Sequence, residues 1–136
     1  MESQTRLVVG IPTRSRPAIL AETIAFLAKQ QRQPDAIVVA YAEAEDIADA
    51  ANQFPHVTFI QAPLGLTRQR NAILIWAGDH DILLFIDDDF YPDPQYVKIT
   101  ERFFVEHPEV VLPERVHNPD YIRGPIPKEM YVPDVF

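Results

Sequence analysis

Cysteine is absent from the 136 residues, which excludes disulfides and thiolate metal centres alike. Histidine is sparse. His56, His80, His107 and His117 are scattered without ligand spacing and read as surface or loop residues. Basic charge is also scarce: 12 Lys and Arg stand against 20 Asp and Glu, a net charge of −8. Such a balance speaks against nucleic acid as a partner. No apolar run reaches bilayer-spanning length, and Met1-Glu2-Ser3-Gln4-Thr5 carries no apolar signal region. The expectation is therefore a cytoplasmic protein, or one peripheral at the inner face of a membrane. With 47% apolar and 24% charged residues, the chain has the composition of one globular domain large enough for a real core.

Against these absences stands one concentrated feature, the triplet Asp87-Asp88-Asp89. It follows the most apolar run of the chain, Ile82-Leu83-Leu84-Phe85-Ile86, which reads as a buried central strand. Three adjacent carboxylates repel one another unless positive charge compensates them. Side chains alternate along an extended segment, so Asp87 and Asp89 are expected on one side and Asp88 on the other. A pair of carboxylates suits a hard divalent cation whose shell is completed by phosphate oxygens and water. The alternative is an acidic turn that caps the following helix.

Strands and helices alternate along the chain. The expected strands are 7–11, 36–40, 57–60 and 81–86, with Val110-Leu112 as a possible fifth. The expected helices are 18–30, 43–54, 67–77 and 94–106. In the last of these, Val97, Thr100 and Phe104 face inward. This order implies an α/β fold with an open, mostly parallel Rossmann-like sheet and helices on both faces. The segment 113–136 differs. Pro113, Pro119, Pro125, Pro127 and Pro133 forbid a helix or central strand, so a Pro-rich extended C-terminal tail is expected. Its apolar residues, Tyr121 to Phe136, suit packing on this domain or on a second copy, as in a homo-oligomer.

Ligands of open α/β sheets bind beyond the carboxyl ends of the strands, where the strand order reverses. The usual order 3-2-1-4 sets the first and fourth strands side by side at that point. The fourth exits into the aspartates. The first exits into Pro12-Thr13-Arg14-Ser15-Arg16-Pro17, and a third loop brings Arg68 and Arg70 to the opening of a helix. Arginine forks and a helix N-terminus suit phosphate oxygens. Carboxylates facing arginines thus fit a metal–diphosphate. The plainer reading is that these arginines pair with the aspartates and Glu43.

Four segments together resemble the family 2 glycosyltransferases. They are Val8 to Pro17, Gln30 to Val39, Leu64 to Asn71, and Phe85-Ile86-Asp87-Asp88-Asp89-Phe90 with Pro92 and Pro94 after it. The last resembles that family's DXD motif. The resemblance implies the GT-A fold and a nucleotide-diphosphate-sugar donor of the UDP or GDP type. It implies inverting transfer with Mg²⁺ or Mn²⁺ as cofactor, to a saccharide or lipid-linked acceptor. It assigns Pro12, Thr13 and Arg14 to the nucleotide loop and Arg70 to the nucleotide or its phosphates. Asp87 would lie near the ribose, with Asp88 in the same nucleotide-binding set. Asp87 and Asp89 form the metal set.

Two departures accompany the resemblance. The family's second strand ends in an acidic residue that reads the base; here the stretch is Ala40-Tyr41-Ala42-Glu43-Ala44-Glu45-Asp46, where Glu43 is the substitute. The family also continues into an acceptor-binding half that carries the catalytic base. Here Glu114, Asp120, Glu129 and Asp134 lie in a Pro-rich context that does not match, so no base is assigned. The expected organisation is a nucleotide-diphosphate-sugar-binding domain over 1–112, a tail over 113–136, and no acceptor half. A nucleotidyltransferase would want glycines in the loop 12–17, which has none. The remaining alternative is a catalytically inactive nucleotide-binding or interaction module of the same fold.

Overall fold

The computed structural model describes residues 5–107 and the pair Tyr121–Ile122. Its elements, in chain order, are β1 (Leu7–Pro12), α1 (Pro17–Leu27), β2 (Ala36–Tyr41), a 3₁₀ turn (Ala44–Asp46) and α2 (Ala50–Gln53). There follow β3 (Thr58–Gln61), α3 (Leu66–Ala77), β4 (Ile82–Phe85), α4 (Tyr96–Glu106) and β5 (Tyr121–Ile122). The sheet order is β3-β2-β1-β4-β5. The first four strands are parallel, and β5 adds an antiparallel edge with Leu83 opposite Ile122 and Leu84 opposite Tyr121. The fold is therefore the expected open, mostly parallel α/β sheet, and β1 and β4 are neighbours at the reversal.

Both sheet faces are covered, which explains why the central strands read as continuous apolar runs. Leu7, Val9 and Ile11 of β1 and Ile82 and Leu84 of β4 share one core with Leu20, Ile24 and Leu27 of α1 and Val97 and Phe104 of α4. Val8, Val38, Leu83 and Phe85 face the other way, onto Ile73, Leu74 and Ala77 of α3. That second layer is tight at Gly10. A β-carbon there would sit 2.6 Å from Ile73 Cγ2, so only glycine lets α3 seat on β1.

One expected helix is not formed as such. Residues 43–54 divide into the 3₁₀ turn and the single turn α2, with Ala48 between them at φ 48°. The break lies at Ala48, whose left-handed backbone ends the 3₁₀ turn before α2 begins. The proposed strand Val110-Leu112 lies outside the described residues, as does most of the tail. Its described pair forms β5 at the sheet edge. Among the described residues no helix is long and apolar enough to cross a membrane.

Candidate functional site

The aspartate triplet sits where β4 runs out beside β1. Ile86 N–H still donates to Gly10 O at 3.0 Å, but the chain then turns, with Phe90 N–H on Asp87 O at 3.2 Å. The triplet is therefore a turn, not the extended segment expected. The turn separates the three carboxylates all the same. Asp88 is buried. It accepts from Thr13 Oγ1 at 2.8 Å and from Arg16 Nη2, while its carbonyl accepts from Thr23 Oγ1 of α1 at 2.5 Å. Asp87 and Asp89 remain open, with side chains 63% and 52% exposed. Arg70 Nη2 lies 3.8 Å from Asp87, and Arg16 Nη1 lies 3.4 Å from Asp89. Asp88, then Asp89, raise the pKa of the Arg16 guanidinium, only partly opposed by burial.

Thr13 is held as firmly on its backbone side. Its N–H donates to Ala40 O at 3.0 Å. The buried amide of Gln69, reaching back from α3, donates to Thr13 O at 2.9 Å and to Ala40 O at 2.8 Å. Gln69 thereby joins the exits of β1 and β2. Its helix starts from Gly65, whose φ of 136° is open to glycine alone, and whose carbonyl accepts Gln69 N–H at 2.8 Å. Gln69 lies within the segment Leu64 to Asn71. A neutral amide among arginines gives no signal in sequence.

These groups line one cavity of about 390 Å³, formed by Pro12, Thr13, Arg14, Arg16, Leu64, Gly65, Leu66, Gln69 and the three aspartates. The size suits a small-molecule ligand. Of the residues named from sequence, Pro12, Thr13, Arg14, Asp87, Asp88 and Asp89 meet there. Glu43 and Arg70 are not among the lining residues. Arg70 is buried, its guanidinium over the Phe85 ring at 5.3 Å and behind Asp87. Glu43 is exposed after β2, its side chain accepting the backbone N–H of Asp46 in a reciprocal cap.

Asp46 is the residue that sequence reasoning missed. Its side chain is fully buried. Burial pushes its pKa up, but the N–H groups of Glu43, Ser15 and Ala42 and the charge of Arg14 outweigh that and hold it below the ordinary range. Among the described residues no three acidic or histidine side chains converge as a complete metal cage. Asp87 and Asp89 nevertheless present two hard oxygen donors to one cavity. They fit a divalent ion whose other ligands come from a phosphate-bearing molecule and water.

Solved structures carry the same fold. TarS residues 1–349 from S. aureus, in complex with UDP, matches with a TM-score of 0.65 at 23% identity, over 76% of this chain and 33% of that one. The mannosyltransferase PcManGT from Pyrobaculum calidifontis, in complex with GDP-Man and Mn²⁺, matches with a TM-score of 0.61 at 16% identity, over 75% and 33%. Glucosyl-3-phosphoglycerate synthase from Mycobacterium tuberculosis, in complex with Mn²⁺, UDP and glucosyl-3-phosphoglycerate, gives 0.54 at 17%, over 76% and 39%. The chain thus spans between a third and two fifths of the length of these neighbours. At such identities the likeness establishes the GT-A fold. No curated protein sequence matches the chain. The family model of glycosyl transferase family 2, however, matches residues 8–131, nearly the whole chain, and covers every loop that lines the cavity. The chain belongs to glycosyl transferase family 2.

Proposed function

We propose that this chain supplies the donor-binding half of a glycosyltransferase that uses a nucleotide-diphosphate sugar with Mg²⁺ or Mn²⁺ and inverts the transferred sugar carbon. One observation carries the reading: Thr13, Arg14, Arg16 and the aspartate turn line a single cavity at the strand-order reversal. The family membership and the neighbours solved with UDP and GDP-Man support it. Arg14 and Arg16 reach the cavity with half-exposed guanidinium groups suited to diphosphate oxygens. Asp87 meets the ribose side of the nucleotide, and Asp87 and Asp89 hold the ion. A bound divalent ion neutralises the charge that builds on the departing nucleoside diphosphate. Asp88 has a different task. Through Thr13 and Arg16 it fixes the nucleotide loop against the aspartate turn. Arg70 contributes positive charge from behind Asp87. Glu43 is the candidate for reading the base; its exposed side chain accepts the Asp46 N–H.

The acceptor, a saccharide or a lipid-linked sugar, needs a general base for its hydroxyl. Among the described residues the cavity holds no carboxylate besides the triplet. That observation favours a second reading, a nucleotide-binding module of the same fold without turnover. Calorimetric titration with UDP and GDP, with Mn²⁺ and after chelation, tests the donor site. Metal-dependent binding is expected, and equal binding in chelator would sink the metal role. Nucleotide sugars incubated with acceptor glycans and followed by mass spectrometry separate the two readings. Slow hydrolysis at most is expected from residues 1–136 alone, because proximity and base catalysis supply much of the barrier reduction.

A further inference from the structure

The nucleotide loop is held from outside the cavity. Asp46 does not line that cavity, yet its buried carboxylate gathers donors from both neighbouring strand exits. From the β1 exit come Ser15 N–H at 2.9 Å and Arg14 Nη1 at 3.2 and 3.3 Å. From the β2 exit come Ala42 N–H at 3.0 Å and Glu43 N–H at 2.8 Å. Ser15 itself has φ 60°, a left-handed conformation that a residue with a β-carbon keeps only when its surroundings hold it. The group that holds it is Asp46 Oδ1.

We propose that Asp46 is the positioning residue of the donor site: its carboxylate sets the β1 exit, which carries Thr13, Arg14 and Arg16, against the β2 exit. Affinity for a nucleoside diphosphate then depends on a side chain that never touches it. The inference rests on the donor-site reading above. Its chemistry is specific to a carboxylate. Two anionic oxygens accept from four donors here, one of them shared between both oxygens, whereas asparagine offers one acceptor oxygen and turns an NH₂ group toward backbone donors. The same contact explains why Arg14 stands at the cavity wall with only part of its guanidinium free: one nitrogen is tethered to Asp46.

The test uses Asp46→Asn and Ser15→Pro, with amide hydrogen exchange and calorimetric titration of UDP and GDP. Proline lacks the N–H that Asp46 accepts and cannot adopt a positive φ, so Ser15→Pro breaks the same contact from the exposed side. It decides the matter if Asp46→Asn does not fold. In both variants the amides of Ala42 and Glu43 are followed, and in Asp46→Asn that of Ser15 as well. Protection there should be lost or weakened in Asp46→Asn while Val9 and Val38 in the sheet stay protected. Affinity for both nucleotides should fall roughly tenfold or more in each variant. Arg32→Ala, which weakens the fold far from the cavity, is the control for a merely structural effect and should keep its affinity. Affinity within about twofold of the unmutated chain in either folded variant would overturn the inference. An unmutated chain that takes up neither nucleotide would overturn the donor-site reading itself, and the inference with it.

Discussion

The two rims of the sheet use the same residue types for opposite ends. At the amino rim, Arg32 forks onto Glu101 of α4 at 3.1 and 2.8 Å and also donates to Thr5 O at 3.0 Å. Asp35 accepts Leu7 N–H at 2.7 Å, Asp81 accepts Arg6 N–H at 2.8 Å, and Arg6 donates to Ala77 O at 3.0 Å. These charges close the fold on itself. At the carboxyl rim, Asp46 and Asp88 are anchored in the same manner, but Asp87 and Asp89 keep exposed side chains at the cavity that Asp88 also lines. An arginine–aspartate pair is thus not informative alone. What separates scaffold from site is whether a carboxylate's oxygens are filled by fixed donors or left open to a ligand.

The largest effect should come from breaking the amino rim. Arg32→Ala leaves Glu101 mostly buried without its fork and should cost about 2–3 kcal/mol of stability. Nucleotide affinity should be untouched; a matching loss of affinity would mean that the rims are not independent. Asp88→Ala comes next. It strands Thr13 Oγ1 and one arm of Arg16, and should cost about 1–3 kcal/mol on denaturant unfolding. Unlike an amino-rim change, it should also weaken nucleotide binding. Asp89→Ala and Asp87→Ala sharpen the contrast, since their exposed side chains should change stability by less than about 0.5 kcal/mol. Asp89→Ala should remove the metal-dependent part of nucleotide binding. Asp87→Ala should weaken affinity by about 1 kcal/mol or more. Stability losses equal to that of Asp88→Ala would erase the distinction between anchored and open aspartates.

Much of this was legible in sequence because it rests on local pattern. The runs Leu7 to Ile11, Ala36 to Ala40 and Ile82 to Ile86 are apolar on both faces, and the order of elements then fixes β1 beside β4. The stripe Val97, Thr100, Phe104 is buried as spaced. What escaped depends on side chains bonding across loops. Asp46 reads as one acid among Glu43, Glu45 and Asp49, and nothing local says that its carboxylate turns inward onto the exits of two strands. Strand alternation separated Asp88 from its neighbours correctly but for a different reason, because a turn and Thr13 do the separating. The resemblance placed Arg70 at the nucleotide or its phosphates; that its guanidinium also packs over the Phe85 ring, 3.8 Å from Asp87, is visible only in the fold. The antiparallel pair Tyr121–Ile122 is invisible in a segment so rich in proline.

The smallest expected effect is a difference in acid sensitivity between the rims. His80 is buried at the turn after α3, beside Arg6, Asp79 and Asp81, with Nδ1–H donating to Gly78 O at 2.8 Å and Nε2 without a hydrogen-bond partner among the described residues. Burial lowers its pKa below 6.5. Arg6 adds to this, while the Gly78 carbonyl and the two aspartates oppose it. The folded state therefore binds this proton less readily than the unfolded chain does. Stability from this site is complete above the unfolded pKa and declines as pH falls from there to the folded pKa. Asp46 at the other rim has the opposite sign of group and a lower window. Its contribution is present above the unfolded value of 3.8 and is lost only as pH falls through its depressed folded pKa. Mild acid should thus loosen the amino rim first and leave the loop around Asp46 intact. Urea unfolding at about pH 7.5 and about pH 5.5 should show a small drop in midpoint that His80→Asn reduces. Amide exchange at Ser15 and Glu43 should not change over that interval. An unaltered drop in His80→Asn would remove His80 as its source. Early exposure of Ser15 would place the acid-labile point at the donor site.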